Sequence, residues 1–313
     1  MSLIVLASAK GAPGVTVTSL ALAAVWPRPV LVAECDPAGG DLAPRWGLPP
    51  APSMLTLAAA ARRRLDAGEL WRHTQRLPGS DDAGRASVLL GPPASEQALA
   101  LGSLWGALGP VLAGLPEADV LADCGRLLPG APSGQLLGHA DLVLLVARPS
   151  AEGIAHARTR LLALQETGLP VGLVLVGQRP YGPAEVREAL DAAGLRPSLV
   201  AAVADDPRAA GMLAGEPGSP RRLATSLLIR SARALLDQLP QRPAVPPGPQ
   251  HPLLGAVLDE RATPPIRPTE TFPDQGAGPG TGAGPAWGQP PAGAATPPGL
   301  PDHNVGSGRE VTR

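Results

Sequence analysis

At 313 residues, with 44% hydrophobic residues and a formal net charge of −1, the chain is long enough to bury one sizeable core and carry an appendage. It has no global basic excess to announce a nucleic-acid binder. No apolar run in the sequence reaches the roughly 18 residues of a membrane span, and Leu3 to Leu6 is too short, and lacks the preceding basic region, for a signal peptide; the expected location is the cytoplasm.

Short apolar runs alternate with helix-like stretches along the chain. Leu3–Ala7 reads as a strand, Thr16–Val25 as a helix, and Val30–Ala33 as a second strand opening onto the polar stretch Glu34 to Asp41. A helical stretch follows near Met54–Leu65, carrying Arg62, Arg63 and Arg64, then a polar turn at Gly79–Gly84, a strand at Ser87–Leu90 and a helix over Glu96–Leu112. Asp119–Asp123 is an apolar strand capped by an acid. Asp141–Val146, Val171–Val176 and Leu199–Val203 read as further strands, with helices at Ala151–Thr167, Pro183–Ala193 and Ser219–Leu239. In the last helix Leu223, Leu227, Ser231, Leu235 and Leu239 recur every four residues, which predicts a buried stripe. Seven or eight continuous apolar strands with interleaved helices predict a doubly wound, mostly parallel α/β sheet covered on both faces, with its ligand site at the carboxyl ends of the strands.

After Leu239 the character changes. Residues 240–313 hold 17 Pro and 12 Gly among 74 positions, with Phe272 and Trp287 as the only aromatics, above the range of about 25–30% Pro and Gly that marks disorder. So few large apolar groups cannot offset an ordering entropy of roughly 1–2 kcal/mol per residue. The expected organisation is a folded unit over 1–239 and a disordered tail over 240–313.

Between the first strand and first helix lies Lys10-Gly11-Ala12-Pro13-Gly14-Val15-Thr16. A strand, a glycine-containing turn and a helix start make a phosphate cradle, because the free N–H groups and dipole of a helix N-terminus favour an anion. Lys10 is the only lysine of the chain, the other 25 of its 26 basic residues being arginine, and it stands where a compact ammonium can meet phosphate. Against the phosphate-loop pattern G-x-x-x-x-G-K-[ST], Gly14 and Thr16 fit, while Ala9 holds the first glycine position and Val15 the lysine position. Spacing alone fits either a nucleotide loop or an ordinary strand-to-helix turn.

The acids strengthen the first reading. Asp36 and Asp41 follow the second strand and Asp123 ends a later one, so all reach the sheet edge that carries Lys10 and Thr16. Phosphate chemistry needs that set: amides and a cation for the phosphates, a hydroxyl and a carboxylate for Mg²⁺, and a carboxylate to orient water. Cys35 and Cys124 each stand beside one of these acids; two cysteines are too few for a disulfide framework or a self-contained metal cluster and read as small buried residues.

At this point the sequence resembles a known family, the ParA/MinD-type ATPases with a deviant phosphate loop, nucleotide switches that partition DNA or place cellular structures. Their loop reads K-G-G-x-G-K-[ST], and Lys10 falls on its leading signature lysine; Glu34-Cys35-Asp36 falls on the family's D-x-D, and Asp123 on the acid that ends a central strand. Arg148-Pro149-Ser150, the pair Gln178-Arg179 and the stretch Leu199–Ala209 match later turns of the family. The resemblance covers residues 1–239. It implies ATP and Mg²⁺ as cofactors, Lys10 and Asp36 in catalysis, phosphate or nucleotide contacts from Gly11, Ala12, Gly14, Val15, Thr16, Val17, Gln178 and Arg179, and Mg²⁺ held by Thr16 and Asp123. It also implies a nucleotide-dependent homodimer in which the signature lysine reaches the partner's phosphates.

Val15 departs from the pattern, removing a charge-assisted contact worth on the order of 1.5–3 kcal/mol. Two functions from different classes therefore stand side by side: a slow Mg²⁺-dependent ATPase switch, and a degenerate scaffold or adaptor of the same fold with weak or no hydrolysis, whose tail recruits a protein partner. A metabolic phosphotransferase fits less well, for want of a second substrate motif. Arg62–Arg64 together with Arg221, Arg222, Arg230 and Arg233 form either a patch for non-specific DNA or solvated helix faces. The Pro/Gly-rich end lacks the basic amphipathic helix of a membrane-targeted relative.

Overall fold

The computed structural model describes residues 2–61, 65–77 and 86–239. The expectations for Arg62–Arg64, for the turn at 79–84 and for the tail at 240–313 lie outside them. The elements run β1 (Leu3–Ser8), α1 (Val15–Ala23), β2 (Val30–Glu34), α2 (Leu42–Trp46), α3 (Met54–Ala61), α4 (Ala67–Arg72), β3 (Gln75–Arg76) and β4 (Ala86–Leu89). Then come α5 (Ser95–Ala100), α6 (Leu104–Ala113), β5 (Asp119–Arg126), a 3₁₀ helix (Pro132–His139), β6 (Leu142–Ala147), α7 (Ala151–Gln165), β7 (Val171–Val176), α8 (Pro183–Ala192), β8 (Val200–Val203), α9 (Pro207–Leu213), α10 (Pro220–Ala224) and α11 (Leu227–Leu236).

The strands form one eight-stranded sheet in the order β3-β4-β2-β5-β1-β6-β7-β8. Every pairing is parallel except the short β3–β4 edge. From β1 the chain moves toward β2, and after β5 it crosses to β6 on the other side, so the order reverses at β1. In such a sheet the ligand crevice opens at that reversal.

Strand alternation sorts the apolar side chains into two layers. Leu3, Val5, Ala7, Leu31, Ala33, Cys35, Val120, Ala122 and Cys124 face a core covered by α3 to α8. Ile4, Leu6, Val30, Val32 and Leu121 face the other, covered by α1, α9 and α11. The same parity assigns the acids. Glu34 and Asp123 each immediately precede a cysteine and point to the opposite face, the one that carries α1, in register with each other across β2 and β5. The cysteines are both fully buried, as their setting predicted, and the Cys124 thiol is pushed up first by a hydrogen bond to Cys35 and then by burial.

Several sequence expectations need correction. The helix expected over 96–112 is two, α5 and α6, because Gly102 takes a left-handed φ of 50° between them. The helix expected over 219–239 is also two: the Ser226 hydroxyl accepts the Ile229 N–H at 3.2 Å and starts α11 afresh. The four-residue stripe is the buried face only in part: Leu235 and Leu239 are buried, but Leu227 is 58% exposed and Leu228, Ile229 and Ala232 complete the face. Strand β5 runs past Asp123 to Arg126, with Asp123 inside it. Helices α2 and α4, strand β3 and the 3₁₀ helix had no counterpart in the sequence reading; each is short or follows proline and glycine.

Candidate phosphate site at the strand ends

Helix α1 begins at Val15 after Gly14, whose φ of 108° and ψ of 37° form a left-handed turn that glycine alone takes without strain. No side chain caps this end, whereas Ser150, Asp206 and Ser226 cap α7, α9 and α11. The first-turn amides of a helix have no partner within it, so those of Val15, Thr16 and Val17 are set for an anion. Val15 itself is only 6% exposed and packs in the α1 layer, so position 15 adds apolar contact and no charge. Pro13 is buried behind the loop, and Lys10, Gly11 and Ala12 are exposed.

Beneath the helix start, Asp123 lies beside the Thr16 hydroxyl, which favours its ionised form, and accepts the Gly125 N–H at 3.1 Å. It is 1% exposed. Burial, with Asp36 and Glu34 facing it, pushes its carboxyl up to about 7, against the opposing pull of the Thr16 hydroxyl and the Gly125 N–H. Asp36, half-buried, is also raised by burial, and its carboxylate accepts from the Ala38 N–H at 2.8 Å. It lies directly over Gly125, where any Cβ would collide with it and where φ is 55°. Thr16, Asp36 and Asp123 are thus brought together.

The sequence reading gave Glu34 no role of its own. Its buried carboxylate accepts the N–H groups of Asp41 at 2.6 Å, Leu42 at 2.9 Å and Gly91 at 3.0 Å, and burial still raises it above the usual range. It holds the loop that carries Asp36 against the end of β4. Asp41, expected at the acidic edge, instead pairs with Arg45 at 2.6 Å. Ser8 was missed too: its hydroxyl lies 3.3 Å from both the Gly11 and the Gly125 carbonyl oxygens, which it can donate to, joining the loop to the end of β5. An acid with the strand parity of Asp36, and a serine closing β1, were the available signals.

On the other side of β1, toward β6, a cleft of about 220 Å³ is lined by Lys10, Ala12, Pro13, Arg148, Glu152 and His156. The Glu152 carboxyl is held below its usual range by its own backbone N–H and the Ser150 hydroxyl, with His156 and Lys10 adding smaller pulls. Gln178 and Arg179 do not line this cleft; they sit exposed on the turn after β7, which approaches it through the Tyr181 N–H donated to the Pro149 carbonyl at 3.4 Å. Arg221, Arg222, Arg230 and Arg233 are exposed on α10 and α11.

Solved structures share this arrangement of sheet and helices. MinD from Pyrococcus horikoshii, in complex with Mg-ADP, superposes with a TM-score of 0.59 at 19% identity, over 76% of this chain and 95% of that one. A ParA family ATPase from Chlorobium tepidum gives 0.60 at 18% identity, over 76% and 99%. This chain has the fold of the MinD and ParA ATPases. The ATP complex of the D38A form of Cyanothece McdA, at 0.55 and 16% identity over 78% and 98%, has the same MinD/ParA fold. Neither a family model nor a curated protein sequence matches the chain. Among the described residues, no helix is long and apolar enough to cross a membrane.

Proposed function

We propose that the chain is a nucleotide-dependent switch that binds ATP with Mg²⁺ on the Lys10–Thr16 loop. The observation that carries this reading is the juxtaposition of Thr16 and Asp123 beneath an uncapped α1: a hydroxyl and a carboxylate, the hard oxygen ligands that Mg²⁺ takes. Among the described residues no three His, Cys, Asp or Glu side chains are gathered for a metal, so a cation here leans on phosphate oxygens and water as well, the usual mode for Mg²⁺. When bound, the ion neutralises phosphate charge. The chain's own groups do the rest: the α1 amides and Lys10 hold phosphates, and Asp36 is placed to orient a water.

Two finer features belong to the same reading. Exposed Lys10 fits a contact across a homodimer, and the four arginines of α10 and α11 offer a surface for a polyanion such as DNA. A second reading, a scaffold with little or no turnover, is favoured by the burial of Val15, which leaves the loop without its in-cis cation.

The single lysine makes the test clean. A nucleotide analogue that acylates amines beside bound phosphates can react only with Lys10 or the α-amino group, because arginine stays protonated. ATP-protected labelling of Lys10 is the expected result. ATP binding that leaves Lys10 labelling untouched would place the phosphates elsewhere.

A further inference from the structure

We propose that Arg126 supplies the cation lost at position 15, binding the terminal phosphate of the nucleoside triphosphate held by the loop; this rests on the nucleotide-binding reading above. Position 15 as it stands supplies no charge, since it is a valine packed in the α1 layer. The need for a cation there is acute, because Asp36, Asp123 and Glu34 face one another at this edge and a triphosphate brings several further negative charges. Glu34 is satisfied by three amides and Asp41 by Arg45. Asp36 and Asp123 remain.

Arg126 closes β5 three residues after Asp123 and is the one exposed residue of that strand. It pairs in register with Ser8, the Leu127 N–H donates to the Ser8 carbonyl at 2.9 Å, and the Ser8 hydroxyl reaches the Gly11 and Gly125 carbonyls. The backbone around Arg126 is therefore fixed to the start of the phosphate loop. Strand β5 lies on the β2 side of β1, with Thr16, Asp36 and Asp123, whereas the cleft lined by Lys10 lies on the β6 side. An arginine here stands on the side of β1 that carries the Thr16 and Asp123 oxygens which would hold Mg²⁺.

Two neighbouring arginines are engaged, Arg45 with Asp41 at 2.6 Å and Arg148 with Asp205 at 2.8 Å. Among the described residues Arg126 has no ion pair or hydrogen bond from its guanidinium. Its planar fork of donors matches phosphate geometry, and as a residue outside the loop it replaces the missing lysine without touching the packing of Val15.

The test is calorimetric titration of the full chain with Mg-ATP and Mg-ADP. Arg126→Ala should weaken ATP by about tenfold or more, the loss of one charge-assisted contact, and ADP by far less. Arg126→Lys should fall between. Val15→Lys placed in the Arg126→Ala background should recover ATP affinity. Because the side chain is exposed and unpaired, melting temperatures should stay with the wild type; Arg126→Gln repeats the measurement should the alanine variant fold poorly. An unchanged ATP-to-ADP affinity ratio in these variants, alongside wild-type binding, overturns the assignment alone. A wild-type chain that binds neither nucleotide overturns the nucleotide reading and the assignment with it.

Discussion

Replacing Asp123 by Asn isolates a buried charge whose cost can be worked out from its surroundings. Asp123 is 1% exposed, and burial followed by the fields of Asp36 and Glu34 lifts its carboxyl from 3.8 to about 7. At about 1.36 kcal/mol per pH unit, that difference corresponds to about 4 kcal/mol. The folded chain holds the proton more tightly than the unfolded one, so the associated stability is fully present below 3.8, falls as pH rises, and is gone above about 7. Asn keeps the shape, can accept from the Gly125 N–H and can meet the Thr16 hydroxyl, but carries no charge. Urea unfolding of both chains without Mg²⁺ should show the variant gaining on the wild type from pH 4.5 upward, by up to about 4 kcal/mol at pH 8, with a plateau above. Glu34 and Asp36, raised in the same direction, are present in both chains, so the difference reads the Asp123 charge together with its coupling to them. A gap that does not change with pH would refute the reasoning.

Gly125→Ala should cost about 2 kcal/mol or more, from the left-handed φ and the collision with Asp36; an unchanged urea midpoint would mean that Asp36 is not held where it lies. Glu34→Ala should destabilise the chain by about 3 kcal/mol or more, because three amides lose their acceptor at once, while Glu34→Gln keeps an acceptor and should cost less. Limited proteolysis reads the same change locally: the alanine variant should be cut faster within residues 36–41, and equal cutting rates would show that Glu34 does not hold that loop.

The apolar strands were legible because a parallel sheet buried on both faces needs continuous Val, Leu, Ile and Ala runs, and Leu3–Ser8, Leu142–Ala147 and Val171–Val176 are such runs. Helix interruptions were not. The left-handed turn at Gly102 and the restart at Ser226 depend on single residues inside otherwise helix-compatible stretches, and the period-four stripe was satisfied by Leu227 although that side chain faces solvent. Of the site, charged residues at strand ends were visible through their order along the chain. Glu34 and Ser8 were not, because their roles lie in which amides and carbonyls the fold brings to them, across 57 residues for Glu34 and Gly91 and 117 for Ser8 and Gly125.

Position 15 separates what the loop's backbone does from what its side chains do. The left-handed Gly14, the uncapped start of α1 and the Thr16–Asp123 contact depend on glycine, helix geometry and a hydroxyl, and none of them requires a lysine at 15. Putting valine there fills the layer beneath the loop with Leu6 and Leu20 and leaves the amide cradle intact while deleting a charge. The shape needed to hold a phosphate and the charge needed to hold it tightly thus reside in different residues. On the reading proposed above, the second comes from groups outside the helix start, at Lys10 on the β6 side and at Arg126 on the β5 side. A site so divided, as proposed, would bind weakly until both flanking cations engage, and its affinity would follow whatever orders those two side chains.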